Sequence, residues 1–209
     1  MTKEELLLQI EKAVKSCRKC RLYRTAMKAV PGAGNPNSKI IFVGEAPGFN
    51  EDQQGLPFVG RAGKLLDEML SEIGLKRADV WIGNIIKHRP PDNRDPMVDE
   101  IKACRPYALD QIKAIDPKII VTLGRFAMDI FLSGAKISEV HGKPFRVSSR
   151  IIFPLYHPAA ALRSDSVLRE LKEDFRKLAR ASKLKEEEIP FFKNDDNSGN
   201  SSQMNLFTL

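Results

Sequence analysis

Short apolar runs that alternate with helical stretches constrain the fold of this chain more than any other sequence feature. Three of these runs lead into polar or glycine-containing loops, and they read KIIFVGEAPG, VWIGNIIKH and PKIIVTLG. Strands that alternate with helices are typical of a mostly parallel sheet with helices on both faces. The 209 residues suit one such domain with a well-filled core. The pattern therefore predicts an α/β fold with αβα layering.

Apolar periodicity and end signals predict the helices between these strands. Thr2 can cap a first helix, in which Leu6, Ile10 and Val14 are spaced to form one apolar face. A further segment, FRVSSRIIFPLYHP, resembles a pair of strands. The predicted helices cover residues 2–16, 63–73, 97–115 (which includes Cys104), a stretch that begins at Arg125, and 166–183.

Three of the predicted strands end in loops that carry polar side chains, GEAPG, NIIKH and YHPAA. In open α/β sheets, ligands bind beyond the carboxyl ends of the strands. The sequence therefore predicts that the chemistry of the protein lies at one edge of the sheet.

The first two loops of the domain offer carboxylates and an aromatic ring. GEAPGFNED brings Glu45, Glu51 and Asp52 together after a buried strand. A carboxylate there could orient or deprotonate a water molecule, and a solvated acidic turn is the alternative. GLPFVGRAG holds Phe58 among a proline and several glycines. Its ring could stack on a planar base or could fill the core.

The later loops offer groups that can recognise a base. Asn84 presents an amide donor beside an acceptor, which matches the edge of uracil and rejects cytosine; an asparagine that caps a turn is the alternative. His157, which precedes a proline, could donate a hydrogen bond to a developing anion or could be packed in the core. Leu162 beside Arg163 forms an apolar tip of the kind that wedges into base stacks.

Charge and cysteine content narrow the class of protein. The net charge of +7 favours a polyanionic partner, because neutralised phosphates release counterions. No apolar run approaches the ~20 residues of a membrane helix, and MTKEELLLQIEKAV does not resemble a signal peptide. We therefore expect a cytosolic protein. Three cysteines argue against a disulfide framework, and the C-x-x-C of Cys17 and Cys20 suits redox chemistry or metal or cluster ligation.

Taken in order, GEAPGFNED, GLPFVGRAG, NIIKHRPPDNRDP and YHPAAALR resemble the motifs of the family-4, iron–sulfur uracil-DNA glycosylases over residues 5 to 182. The resemblance implies one domain, assigned to residues 1–193, with a central four-stranded, mostly parallel sheet and a pocket for a flipped uracil. By motif position, Glu45 with its neighbours Ala46 and Gly48 contacts the base and the attacking water. The same resemblance implies that Glu51 shapes the pocket and excludes the thymine methyl, that Phe58 stacks on uracil, that Asn84 reads its edge, that His157 faces O2, and that Ala161, Leu162 and Arg163 form the wedge.

The implied activity is hydrolysis of the N-glycosidic bond of a flipped deoxyuridine, which leaves an abasic site for base excision repair. Extrusion of the base costs on the order of a few kcal/mol, and His157 with backbone N–H groups stabilises the uracil anion. No lysine for a lyase step is evident, so we expect a monofunctional glycosylase. Other branches of the superfamily have an aspartate where this chain has Ala46, so Glu45 is expected to position the water.

Other functions stay open from sequence. The chain could be a uracil- or damage-binding protein with little turnover, or a metal-stabilised nucleic-acid-binding domain. It could also trap uracil-DNA covalently through His88, although the basic insertion of the relatives that do so is absent from RPPDNRDP.

The resemblance also implies a [4Fe–4S] cluster held by four cysteines. Cys17, Cys20 and Cys104 match three of these positions, and His88 in KHRPP stands at the remaining one. Imidazole ligates iron in Rieske centres, so we expect a cluster held by three cysteines and one histidine. The alternatives are a cluster with an open iron, zinc in a Cys₃His site, or loss of the metal.

The composition changes near Asn194 to NDDNSGNSSQ, which predicts a disordered tail over residues 194–209. Within the terminal QMNLFTL, Gln203, Leu206 and Phe207 resemble the peptide by which repair proteins dock on sliding clamps. A frayed terminus is the alternative. We expect a monomer in the cytoplasm of a prokaryote, associated with the nucleoid.

Overall fold

The computed structural model describes residues 1–192, and in this part of the chain a six-stranded sheet is covered by helices on both faces. Residues 193–209, on which the predictions of a disordered tail and a clamp-binding peptide fall, lie outside the described residues. The strands are β1 (Ala33–Gly34), β2 (Ile40–Gly44), β3 (Trp81–Asn84), β4 (Ile119–Leu123), β5 (Phe145–Val147) and β6 (Arg150–Leu155).

The sheet confirms the predicted architecture and extends it at both edges. Its spatial order is β1-β3-β2-β4-β6-β5. The four central strands pair in parallel, while β1 and β5 pair antiparallel at the edges. The predicted strand pair in FRVSSRIIFPLYHP is confirmed as β5 and β6. The two residues of β1 gave no sequence signal, because a run so short cannot display an alternating pattern.

Side chains on the two faces of the central strands enter two separate cores, as the period of two in a strand requires. Phe42 of β2 packs against Phe175, with the two ring centroids 6.0 Å apart and nearly parallel. Its neighbours Ile41 and Val43 point into the other core, with Ile112 and Phe131. All five residues of β4 are buried, as expected for a central strand with helices on both faces.

Five helices confirm the predicted ones with small shifts at their ends, whereas the short helices Phe49–Gln54, Ile137–Val140 and Pro158–Ala161 were not predicted. Thr2 caps the first helix by accepting from the Glu5 N–H, and the Glu5 carboxylate accepts from the Thr2 N–H in return. No helix among residues 1–192 is both long and apolar enough to span a membrane. The helices are α1 (Lys3–Lys15), α2 (Phe49–Gln54), α3 (Arg61–Glu72), α4 (Val98–Ile115), α5 (Arg125–Asp129), α6 (Ile137–Val140), α7 (Pro158–Ala161) and α8 (Asp165–Ala181), with short 3₁₀ turns at Arg21–Arg24, Arg77–Asp79, Pro91–Asn93 and Glu186–Glu188.

The parallel strands bring the predicted motif loops to one edge. Gly44 and Asn84 are register partners at the ends of β2 and β3. At the end of β4, the Gly124 N–H donates to the Leu155 carbonyl at the end of β6. His157 follows β6 directly, so the side chains that the sequence singled out lie around the carboxyl ends of neighbouring strands.

Candidate active site

A cavity of about 410 Å³ opens at the carboxyl ends of the central strands. The structure brings eight of the residues predicted from sequence into its wall: Glu45, Ala46, Gly48, Glu51, Phe58, Asn84, His157 and Arg163. The sequence did not single out seven others that also line it: Pro47, Ala62, Pro90, Asn93, Arg94, Ala159 and Ala160.

The Asn84 side chain is buried in this wall and holds an unsatisfied acceptor. Its exposed fraction is 2 %, and its Oδ1 has no hydrogen-bond partner among the described residues. A buried polar atom without a partner is costly, so it points to a ligand that supplies the missing donor. Gly44 makes room for this amide, since a Cβ there would collide with Asn84 Oδ1 and lie 2.7 Å from Phe58 Cζ.

Phe58 is held in a strained backbone conformation against the same wall. Its φ of 51° lies in the left-handed region, which is uncommon for an aromatic residue. The ring is 5 % exposed and lies 5.7 Å from the His157 ring, with 28° between the two planes. Gly63 permits the close approach of the next helix, since a Cβ there would overlap the Phe58 carbonyl.

His157 is a neutral ring whose tautomer follows from a local hydrogen bond. It precedes α7, and the Ala159 backbone N–H donates to its Nδ1 at 3.1 Å. Burial lowers the pKa of His157 to about 4, which the Glu51 carboxylate only partly opposes. The ring is therefore uncharged at neutral pH, and Nε2 carries its proton. This group can donate one hydrogen bond into the cavity.

Glu51 and Asp52 lie in helix α2 and not in an open loop, and both bind backbone N–H groups. The Glu51 carboxylate accepts from the N–H groups of Gly48, Val59 and Gly60 at 3.1, 2.8 and 2.9 Å. Asp52 is 2 % exposed and accepts from the N–H groups of residues 27 and 28. Glu51 thus ties the GEAPG loop to the loop that carries Phe58.

Among the carboxyl groups in the cavity wall, Glu45 has the most strongly shifted pKa. Burial, together with the Asp95 carboxylate, raises the pKa of Glu45 to about 7, and Arg125 opposes the rise. Asp95 and Arg125 are themselves paired, with 2.6 Å between Oδ2 and Nη2. A carboxyl with a pKa near neutrality can exchange a proton with water at physiological pH.

Arg94 was missed because its role depends on a partner on a different element. Its guanidinium binds both oxygens of Glu100, at 2.7 and 2.8 Å, and Glu100 is fully buried in α4. The turn residues RPPDNRDP predict a loop, but they cannot show which side chain faces the cavity. Positive φ angles at Asp92 and Asn93 set the path of this loop.

The three residues predicted as a wedge are placed differently from one another. Arg163 lines the cavity, and Leu162 is 39 % exposed next to it. Ala161 is 3 % exposed and belongs to the core beside α3 and α8, so its side chain is not available at the surface. The apolar tip therefore consists of Leu162 alone.

The three cysteines converge between the end of α1 and the middle of α4. Burial raises the pKa of the Cys104 thiol to about 11, and Cys20 and Cys17 add to the rise. Burial also raises the pKa of Cys20. Buried thiols that resist ionisation fit a cationic metal centre, which would stabilise their thiolates. Within residues 1–192, however, no three Cys, His, Asp or Glu side chains are already placed to hold a metal ion.

His88 is also buried, but the charged group that acts on it is the Asp52 carboxylate and not one of the three cysteines. Its exposed fraction is 6 %. Burial lowers the pKa of His88, and the Asp52 carboxylate opposes this. The donor set therefore fits a sulfur-ligated group at Cys17, Cys20 and Cys104, while the place of His88 in that set rests on the sequence.

Comparison with known proteins finds relatives that are named as uracil-DNA glycosylases. A profile described as "Uracil DNA glycosylase superfamily" matches residues 31–181. A type-4 uracil-DNA glycosylase of Sulfurisphaera tokodaii is 50% identical over 182 residues, which cover 82% of this chain and 83% of the relative. Type-4 enzymes of Archaeoglobus fulgidus and Saccharolobus solfataricus are 46% and 48% identical, and they cover 83% and 80% of this chain and 92% and 82% of their own lengths.

Proposed function

This chain belongs to the uracil DNA glycosylase superfamily, in its type-4 branch, and from that premise we propose that it removes uracil from DNA. The reaction is hydrolysis of the N-glycosidic bond of a deoxyuridine that has left the base stack, and it leaves an abasic site for base excision repair. The observation that carries the proposal is the buried, unpartnered Oδ1 of Asn84 in the wall of the cavity.

Asn84 selects the base by its hydrogen-bonding edge. Uracil N3–H can donate to the unpartnered Oδ1, and the amide Nδ2 can donate to uracil O4. Cytosine shows an acceptor at N3 and a donor at N4, so both pairs would be mismatched. A buried site that loses a hydrogen bond discriminates strongly, because its own polar group stays unsatisfied. Phe58, 2.7 Å from the place of a Cβ at Gly44, supplies the flat apolar surface beside this amide.

His157 stabilises the leaving base. As the glycosidic bond lengthens, negative charge accumulates on uracil and positive charge on the sugar. The Nε2–H of the neutral His157 ring donates to uracil O2, where this charge develops. Neutral imidazole is too weak an acid to transfer a full proton to the base, so uracil leaves as an anion.

Glu45 serves the attacking water. No aspartate is present in the GEAPG loop, and Glu45 is the first carboxyl after β2 that lines the cavity. With its pKa raised to about 7, part of the population is ionised at neutral pH and can orient the water or accept its proton. Leu162 and Arg163 enter the space that the extruded nucleotide leaves in the stack.

An oligonucleotide with a single deoxyuridine tests this proposal. After incubation with the protein, alkali should cleave the strand at the uracil position. Asn84→Ala should slow release by about 100-fold or more, whereas Asn37→Ala, at the opposite edge of the sheet, should not. Binding of the DNA without any release of uracil would refute the glycosylase and favour a uracil-binding protein. An adduct that survives denaturation would indicate covalent trapping.

We also propose that Cys17, Cys20, Cys104 and His88 hold a [4Fe–4S] cluster. The convergence of the three thiols, of which Cys104 is buried and Cys17 and Cys20 are half-buried, supports this. Through these residues, such a cluster would join the segment after α1 to the loop after β3 and to α4. It would thereby help to hold that loop against the cavity wall, where Glu100 of α4 already binds Arg94.

The remaining proposals concern partners and location. Gln203, Leu206 and Phe207 are proposed to dock on a sliding clamp, with support from the sequence alone. Deletion of residues 203–209 should abolish clamp pull-down and leave uracil release from free oligonucleotides unchanged. Equal pull-down after the deletion would refute the proposal. We propose that the enzyme acts as a monomer on the DNA of the nucleoid.

A further inference from the structure

Two phenylalanine side chains are exposed on the described part of the chain, and both lie beneath an arginine. Phe49 is 55% exposed, and the Arg89 guanidinium carbon lies 5.2 Å from its ring centroid. Phe191 is 56% exposed, with Arg146 at 3.5 Å. The two pairs have the same residue types and similar exposure of the ring, but they lie at different positions in the fold. Phe191 joins the edge strand β5, whereas Phe49 directly follows Gly48, which lines the candidate active site.

The position of the Phe49–Arg89 pair is defined by residues that line the cavity. Phe49 is the first residue of α2 and follows Gly48, which is in the cavity wall. Arg89 precedes Pro90, which is also in the wall. Two segments that supply residues to the cavity wall therefore meet in one aromatic–guanidinium pair.

Arg89 is oriented by a hydrogen bond, and no acidic side chain within residues 1–192 pairs with it. Its Nε donates to Asn93 Oδ1 at 2.7 Å, which fixes the guanidinium plane, and Asn93 itself lines the cavity. No carboxylate among the described residues forms an ion pair with Arg89, whereas Arg94 and Arg125 in the same region are paired. The Arg89 guanidinium and the exposed Phe49 ring, with no carboxylate paired to the arginine among the described residues, suit a ligand that offers both a π surface and a phosphate.

We propose that Phe49 and Arg89 form a stacking site for a nucleobase that neighbours the flipped nucleotide on the same strand. An aromatic ring and a guanidinium plane are the two surfaces on which bases stack in proteins that bind single-stranded DNA. Extrusion of one nucleotide removes a stacking partner from the neighbouring base, and this pair replaces it. The inference rests on the proposed function, because it takes the cavity as the place of the extruded base.

A double-mutant cycle between protein and DNA tests the stacking site. The DNA carries a tetrahydrofuran in place of deoxyuridine, so that no base can be excised. In companion strands, the base on the 5′ side or the 3′ side is removed as well. Phe49→Ala should raise Kd at least about fivefold on the DNA that has both neighbours. On one of the two DNAs that lack a neighbour, the same substitution should have no further effect.

Three matched variants complete the experiment. Phe49→Trp keeps a stacking surface and should bind at least as tightly as the wild type. Phe191→Ala removes an equally exposed ring beneath an arginine and should leave Kd unchanged. Arg89→Lys keeps the positive charge but lacks the planar guanidinium. The Kd of this variant should depend less on the neighbouring base than the Kd of the wild type.

The outcomes separate this inference from the proposed function. If Phe49→Ala weakens binding equally on all three DNAs, or on none, the stacking site is refuted while uracil release can still stand. If the wild type releases no uracil but the cycle shows coupling, the stacking site stands and the proposed function falls. Docking of another protein on Phe49 would leave the cycle without coupling.

Discussion

The backbone N–H of Ala159 donates to Nδ1 of His157 at 3.1 Å, so the proton of this buried ring is on Nε2. A substitution of His157 by alanine removes that donor from the cavity. We expect the single-turnover rate of uracil release to fall by about 10²–10³-fold. The affinity for DNA with a tetrahydrofuran site should stay close to that of the wild type, since no anion forms there. An equal loss of rate and affinity would mean that His157 acts mainly in binding.

The rate of uracil release should depend on pH through Glu45. Its pKa is raised to about 7, and a carboxyl serves water only when it is ionised. The rate should therefore rise with pH through a midpoint near 7 and level off above it. His157 stays neutral throughout this range, because its pKa is about 4. Glu45→Gln should lower the rate and abolish the rise, and a rise that persists in this variant would assign it to another group.

The residues around Glu45 sharpen this prediction, because they act on its pKa in opposite directions. Asp95 raises the pKa and Arg125 lowers it. Asp95→Asn should move the midpoint of the pH–rate profile below that of the wild type, and Arg125→Gln should move it above. Shifts in the same direction in both variants would refute the assignment of the midpoint to Glu45.

Gly44→Ala should close the cavity and spare the fold. The new Cβ would meet the Asn84 amide and the Phe58 ring, both of which line the pocket. We expect uracil release to be reduced at least about 100-fold. Gly83→Ala is the matched control, because this glycine is buried in the neighbouring strand and its nearest atoms are 3.7 Å or more from a Cβ. Equal activities of the two variants would contradict the close contact at residue 44.

Glu51→Gln should destabilise the protein. The carboxylate accepts from three backbone N–H groups, and an amide would turn its own NH₂ group toward at least one of them. We expect the free energy of unfolding in urea to fall by about 1–3 kcal/mol. Glu68→Gln changes an exposed glutamate of α3 and should leave the free energy of unfolding unchanged. If the two variants unfold alike, Glu51 does not tie the loops together.

His88→Cys tests the proposed iron–sulfur cluster and the proposed role of His88 as one of its ligands. A fourth thiolate in place of imidazole lowers the reduction potential of an iron–sulfur cluster. The variant should bind as much iron as the wild type, at a lower potential, and Cys104→Ser should lose iron. Iron content and potential can be read by colorimetric assay and redox titration, without any measurement of activity. An unchanged potential would show that His88 is not a ligand.

Much of this molecule follows from sequence because its signals are local. The apolar runs, the Thr2 cap and the loops that follow parallel strands gave the layers, the sheet edge and the placement of Asn84 and His157. The contacts that could not be predicted join different structural elements or depend on backbone angles. Arg94 faces the cavity because of Glu100, and Phe58 does so through a positive φ. Pattern alone could not tell that Ala161 belongs to the core.

The hydrogen bonds of Glu51 fix the two loops that frame the cavity to one another before any substrate arrives. A preorganised pocket loses little conformational entropy when it binds its substrate. The motion then has to come from the DNA, and the energy of leaving the stack is lowest for mismatched bases and for bases that are already unpaired. Among uracils with identical chemistry, the enzyme would therefore reach first those in loosely paired DNA, such as a deaminated cytosine still opposite guanine.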